Sequence, residues 1–311
     1  MTLPSEKDVR YGNPDDARLR LCSVTHDILG DPFWAVYRRG LSDAADALGV
    51  AVHHRAPERF SPELQAELLA AAVQEQPDGI LATIPDAQAV DGPLRAAIGA
   101  GIPVIAVNAA DPRPPAQRIP YLRYVGAEDR TGGRAAADRV LTRGTPRRAL
   151  WIDHYLVDNA CHVARGGGFA EALEQHGVPV ERLRVTGEDH PGSVEAIATW
   201  VAAHPDLDAL CTLGPPGCLA GIEALERTNR LSDVTHVSFD LAPAQLDAIR
   251  AGKLDCTLDS QQYLQGYLGV TLLTLYRDHG FLPAADVLTG PAPIDAGNVE
   301  QVLASVEAGV R

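Results

Sequence analysis

The stretch His26 to Val50, HDILGDPFWAVYRRGLSDAADALGV, reads as a strand's end, a loop and a capped helix in immediate succession. Asp31 suits an N-cap and Pro32 the first helical position. Apolar or small residues recur at Phe33, Val36, Tyr37, Gly40, Leu41, Ala44, Ala47 and Leu48, the spacing of one buried helix face, and Gly49 supplies a left-handed stop. The spacing therefore predicts a helix that starts at Asp31 and ends at Gly49. Phe33 and Trp34 fall in its first turn, just past the carboxyl end of the apolar strand Leu19 to Val24, where open α/β sheets bind ligands.

The pattern comes back further on. Residues 165 to 178, RGGGFAEALEQHGV, match 37 to 50: Gly40 pairs with Gly168, Leu41 with Phe169, Gly49 with Gly177 and Val50 with Val178, each 128 positions apart. Pro77-Asp78 and Pro205-Asp206 keep that offset. A constant offset at two places indicates two lobes built on one plan, with a cleft between the copies.

Length and composition agree with this. A chain of 311 residues is long enough for two cores of about 150 residues each. Its hydrophobic share of 46% and charged share of 22% are those of a globular protein. No run approaches the roughly 18 apolar residues of a membrane span. The net charge of −14, with only two lysines among 27 basic residues and no basic cluster, argues against nucleic acid as a partner. The five cysteines, at 22, 161, 211, 218 and 256, form no CxxC pair; Cys22, Cys211 and Cys256 sit in apolar runs and read as buried thiols rather than disulfides. The polar N-terminus lacks the apolar core of a secretory signal, which leaves a cytosolic protein or one whose leader is not part of this sequence.

Strand and helix patterns alternate along the whole chain, which means βαβ units and a parallel sheet in each lobe. Strands are expected at 19–24, 50–53, 79–84, 102–107 and 121–125, then at 148–153, 182–186, 208–213, 234–239 and 254–258. A long helix at Tyr263 to His279 and a short tail, Pro291 to Arg311, close the chain.

The strand ends carry hydrogen-bonding groups: His26 and Asp27, Asp86, Asn108, Asp153 and His154, Asp240, and the run from Asp259 to Gln262. With Phe33, Trp34 and Arg165 they suit a neutral polyhydroxy ligand, whose vicinal hydroxyls bind carboxylates, amides and guanidinium while rings cover its CH face. Each has a plainer reading. Asp31 and Asp86 can simply cap helices, Phe33 can be core, and Arg165 can be solvated, whereas Trp34 lies off the apolar stripe. His53 and His54 point to opposite strand faces and cannot share a metal, and Cys161-His162 lacks ligand spacing. No GxSxG, Walker or HExxH motif is present, and GPPGCLAG at 214–221, which follows a strand and opens a helix, lacks the lysine of a phosphate loop. No catalytic residue, metal or cofactor is expected.

Taken in order, DPFW (31–34), QPDGILATIPDA (76–87), GIPVIAVNAAD (101–111), YVGAEDRTGG (124–133), ARGGGF (164–169), VSFD (237–240) and LDSQQYLQGY (258–267) resemble the type I periplasmic binding proteins, in their ribose and polyol branch. That resemblance implies two Rossmann-like α/β lobes with parallel sheets joined by a three-segment hinge near Gly126, Asp259 and Gly290. The N-terminal lobe would be 18–125 plus 260–290 and the C-terminal lobe 126–259 plus 291–311, with 1–17 a polar arm. The function implied is binding of a small neutral sugar or polyol in the interlobe cleft and delivery to an ABC importer permease, with presentation to a chemoreceptor or sensor kinase as the alternative. It also implies a monomer without cofactor, located in the periplasm or extracellular and membrane-associated. Asp31, Phe33, Trp34, Asp86 and Asn108 would bind from the first lobe and Arg165, Asp240, Ser260 and Gln261 from the second lobe and hinge, with His26, His154 and Asn159 as further contacts. Asn108-Ala109 and Ser260 depart from the ribose receptors and favour a small polyol over ribose. Truncating Trp34 or Arg165 to Ala is expected to remove binding and leave the fold intact.

Overall fold

The central strands of each half are apolar enough to be covered on both faces, and that decides the architecture. The structure, a computed structural model, describes residues 8–27, 32–57, 59 and 61–311. The chain begins with β1 (Asp8–Tyr11), β2 (Arg20–Val24), α1 (Pro32–Leu48), β3 (Ala51–Arg55), α2 (Pro62–Gln74), β4 (Gly79–Ala82), α3 (Ala87–Gly99), β5 (Val104–Val107) and β6 (Tyr124–Ala127). It continues with α4 (Asp129–Leu141), β7 (Ala149–Asp153), α5 (Ala160–Glu174), β8 (Val180–Arg184), α6 (His190–Ala203), β9 (Ala209–Thr212), α7 (Pro215–Arg227), β10 (Thr235–Phe239), α8 (Pro243–Arg250) and β11 (Cys256–Asp259). It ends with α9 (Gln262–His279), β12 (Val287–Gly290), β13 (Ala292–Asp295) and α10 (Val299–Glu307).

Two compact units result. One takes the chain up to Gly126 together with Gln261–Thr289, the other Ala127–Ser260 together with Gly290–Gly309. The first holds a sheet ordered β1-β3-β2-β4-β5-β6-β12, the second a sheet ordered β13-β11-β10-β9-β7-β8. Without their flanking strands both have the same doubly wound order, in which the second strand of the unit lies on one side of the first and the third on the other. The order reverses between β2 and β4 in the first unit and between β7 and β9 in the second. Such a switch point is where the loops part and leave room for a ligand.

Alternation along each strand feeds two cores. In β4, Ile80 and Ala82 face Leu69, Val90 and Leu94 under α2 and α3, while Leu81 faces Tyr37, Leu41, Val270 and Leu273 under α1 and α9. In the second unit Leu150 and Ile152 join Val194, Ile197 and Leu225, and Trp151 joins Phe169 and Leu173.

The 128-residue offset is structural where glycines are concerned. A side chain on Gly40 would meet the Tyr263 carbonyl oxygen at 2.2 Å, and one on Gly168 would meet that of Arg130 at 2.2 Å. Each glycine therefore lets its helix cross a partner at backbone contact: α1 on α9, where Gly266 reciprocates, and α5 on α4, where Gly133 does. Gly49 and Gly177 both end their helices with positive φ, at 63° and 74°. The Pro-Asp pairs differ. Asp78 bonds both backbone groups of Arg20 as β2 begins, and the residue that plays this part before β7 is Asp208, not Asp206.

Two sequence expectations need correction. The sheets are mostly rather than wholly parallel, since β1 pairs antiparallel with β3 and β13 with β11. The polar arm contributes β1, an edge strand whose charged Asp8 and Arg10 give it no apolar signature. The tail forms β13 and α10, which pack Ile294, Val299, Val302 and Val306 against Leu246 and Ile249 of α8.

Candidate ligand-binding site

In the first unit the strand ends carry uncharged amides and rings beside one ion pair. Phe33 and Trp34 open α1, and His26 follows β2. Trp34 stands edge-on to three rings: His26 and Phe33 at 5.0 Å and Tyr37 at 5.6 Å between centroids. It is 2% exposed, so it is buried although it lies off the apolar stripe. Beneath it Ser23 Oγ contacts the Tyr37 hydroxyl at 3.0 Å and His54 Nδ1 at 3.3 Å. Burial holds the His54 imidazole down at about 3 and pushes the Tyr37 phenol up. Asp27 pairs with Arg38 of α1.

Asn108 ends β5 with φ 62°, a left-handed conformation that asparagine tolerates, and its Nδ2 donates to Gln265 Oε1 at 3.2 Å. The Tyr124 hydroxyl donates to the Asn108 carbonyl at 2.6 Å, which fixes that backbone. Gln261, also left-handed with φ 53°, opens α9 and donates from Nε2 to the Thr289 carbonyl at 2.6 Å. Asp86 is the N-cap of α3: its Oδ1 accepts from Gln88 N at 2.9 Å and Ala89 N at 3.1 Å, the plainer of its two readings. Asp31 lies outside the described residues.

The second unit is ionic. Arg165 of α5 is 4% exposed, and all five of its N–H groups have protein acceptors. Nε donates to Asp129 at 2.8 Å, Nη1 to the Leu213 carbonyl at 3.1 Å and to Asp240 Oδ2 at 2.7 Å, and Nη2 to Asp240 Oδ1 at 3.3 Å and Ser260 Oγ at 3.2 Å. Its guanidinium also lies 4.7 Å above the Phe239 ring. Ser260 Oγ in turn donates to Asp240 Oδ1. Asp240 follows β10 with φ 62°, so a left-handed residue aims its carboxylate at Arg165. Burial works against the Arg165 charge, but Asp240 and Asp129 hold it protonated, while burial raises the Asp129 carboxyl despite Arg165. Arg165 is thus not solvated, and its truncation would strand two buried carboxylates, contrary to the expectation of an intact fold.

Asn159 is the N-cap of α5, its Oδ1 accepting from Cys161 N at 2.9 Å and His162 N at 3.3 Å. His154 follows β7 and is 4% exposed. Beside it His162 Nδ1 donates to Asp153 Oδ1 at 2.7 Å, and Arg182 pairs with the other Asp153 oxygen. Burial raises the Asp153 carboxyl, but His162 and Arg182 prevail and hold it at about 2.

Arg165, Asp240 and Ser260 therefore come together, as do Phe33, Trp34 and His26, and Asn108 with the α9 amides. Sequence reasoning missed Asp129, Gln265 and the His162 and Arg182 partners of Asp153. Asp129 was hidden beside Glu128, which is the true cap of α4, accepting from Thr131 N at 2.6 Å. Gln265, one turn after Gln261, was legible from helical spacing. All five cysteines are buried thiols outside any disulfide, which the apolar runs indicated for Cys22, Cys211 and Cys256. Among the described residues no group of His, Cys, Asp or Glu could hold a metal, and no helix is long and apolar enough to cross a membrane.

Residues 24–279 match the periplasmic binding protein domain family. The chain belongs to that family. It is 26% identical over 309 residues to the xylose/arabinose-binding protein XylF of Sulfolobus acidocaldarius, covering 95% of this chain and 74% of that protein. It is 25% identical over 174 residues to the ribose import binding protein RbsB of Escherichia coli, which is 56% of each chain. Among solved structures, a carbohydrate transporter from Acidothermus cellulolyticus in complex with myo-inositol matches with a TM-score of 0.86 and 29% identity, over 94% of this chain and 99% of that one. The family and the two-unit α/β architecture drawn from the sequence are both borne out; the family is one of binding proteins rather than enzymes.

Proposed function

We propose that this protein binds a small neutral sugar or polyol and delivers it to an ATP-driven importer. The observation that carries the neutral ligand is the pairing of charge at the strand ends. Asp27 answers Arg38, Asp153 answers Arg182, and Arg165 has no N–H left for a ligand anion. What these ends offer is amide, imidazole, hydroxyl and carboxylate groups with aromatic rings beside them, which is the chemistry of hydroxyl recognition. The Acidothermus protein, similar over nearly the whole of both chains, holds myo-inositol, which supports a polyol over ribose.

The ligand groups of this reading are Phe33, Trp34, His26, Asn108 and Gln261 in the first unit and His154, Asp240 and Ser260 in the second. Arg165 and Asn159 stand behind the latter. Similarity to an import binding protein favours delivery to a permease over presentation to a receptor. A monomer in the periplasm, or outside the cell and membrane-associated, belongs to the same proposal. A thermal-shift screen over inositols, pentitols, tetritols and aldoses tests it. A true ligand at 100 times its Kd adds about 2.7 kcal/mol of stability. A panel that moves the melting temperature nowhere removes the proposal.

A further inference from the structure

His154 is the buried histidine whose chemistry nothing above explains. It sits at the switch point of the second unit, where β7 and β9 diverge. Three glycines, two from loops and one from the first turn of α7, make its seat. A side chain on Gly187 would come within 3.3 Å of His154 Cδ2, one on Gly214 within 2.8 Å of Cε1, and one on Gly217 within 3.4 Å of Nδ1. Nδ1 is buried with no hydrogen-bond partner, and Nε2 makes no hydrogen bond within the described residues. A ring nine-tenths buried with both nitrogens unused is costly unless something else comes to it.

Gly214 marks where that would be, because the ring edge and a carboxylate both face it. A side chain there would press on His154 Cε1 at 2.8 Å, with His154 Nε2 3.5 Å and Asp240 Oδ2 3.7 Å away, so the imidazole edge packs on this glycine with a carboxylate on the same side. Gly214 has φ 165°, ordinary extended backbone, so the glycine is needed for space and not for conformation. The loop is no phosphate cradle, because Pro215 and Pro216 remove two N–H donors from the first turn of α7.

Resting on the polyol reading above, we propose that His154 is a specificity-determining residue. Its Nε2–H donates to one ligand hydroxyl, and that hydroxyl donates its own proton to Asp240. The tautomer follows from the surroundings. Nδ1 lies at Gly217 in the first turn of α7, the positive end of the helix dipole, which favours a lone pair there and leaves the proton on Nε2. The groups around the ring are His162 at 4.4 Å and Tyr155 at 4.9 Å, with Asp153, Arg165 and Asp240 beyond them; burial first, then His162, keep the imidazole neutral. A hydroxyl satisfies a donor and an acceptor together. A deoxy or carbonyl analogue at that carbon satisfies only one or neither.

The test begins with the ligand-free protein. Ring ¹⁵N shifts, assigned by comparison with His154→Phe, are expected to put the His154 proton on Nε2 between pH 5.5 and 8; a proton on Nδ1 overturns the proposal whatever binds. Next, myo-inositol and the screened polyols are titrated calorimetrically into the wild type, His154→Phe, His154→Gln and Gly214→Ala. Phe keeps the ring's shape and removes the stranded nitrogens, so the melting temperature should hold while Kd rises at least about tenfold. Gln restores a donor and most of the affinity, and the added Gly214 methyl group abolishes binding. Affinity of His154→Phe within twofold of the wild type sinks this proposal alone. A panel in which the wild type binds nothing sinks the functional reading.

Discussion

His26 and His154 are 128 positions apart, the same distance that separates Gly40 from Gly168, and each ends the first inner strand of its unit. Both are 4% exposed. Their surroundings differ. His26 stands against the edge of Trp34 in a group of rings whose polar neighbours are hydroxyls and amides. His154 stands in a glycine seat near Asp240, whose carboxylate is tied to the Arg165 guanidinium. One backbone plan has therefore been furnished twice, once for stacking and once for fixed charge. The strand order fixes where a residue stands, and the neighbours fix what it can do.

The largest expected effect separates the two furnishings. Arg165→Ala leaves Asp129 and Asp240 buried without their cation, and the urea midpoint should report a loss of about 3–5 kcal/mol. A loss under about 1 kcal/mol would mean that the carboxylates reach water and that the second unit is less dry than its ionic network implies. Trp34→Ala removes the central ring of the first unit and should cost about 3 kcal/mol, by the cavity it leaves in the cluster of Phe33, Tyr37 and Leu41. Little change in stability with lost ligand affinity would make Trp34 a pure binding ring.

Acid is expected to act on both units alike. His54 in the first and His236 in the second are held by burial at about 3, against 6.5 for a free imidazole. Because the folded value is the lower, the unfolded chain takes up the proton first; stability is whole above pH 6.5 and drains as pH falls toward 3. Between pH 7 and 5 each histidine should withdraw up to about 2 kcal/mol. Denaturant curves at the two pH values, for wild type and for His54→Leu and His236→Leu, give the test. An undiminished pH slope in a variant removes that histidine from the account. The smallest effect belongs to Asp86→Ala, about 1 kcal/mol for a lost helix cap, and a melting temperature equal to the wild type would return Asp86 to the ligand.

What the sequence determined by itself was local or repeated. The period of apolar residues and the stop at Gly49 placed α1 at Pro32–Leu48, strands buried on both faces gave the α/β plan, and a constant offset gave its duplication. Those signals live within a dozen residues, because caps and periodicity act over one or two helical turns. Tertiary structure decided the rest. Charged β1 becomes an edge strand because β3 is there to pair with it. Asp208 takes the part expected of Asp206 because strand register, not spacing, selects the partner. Arg165 is saturated by acceptors 36, 48, 75 and 95 residues away, a distance over which no sequence pattern carries geometry. Gly214 matters only because the fold packs the His154 ring against it, and a missing side chain leaves no mark in a sequence until the fold shows what stands beside it.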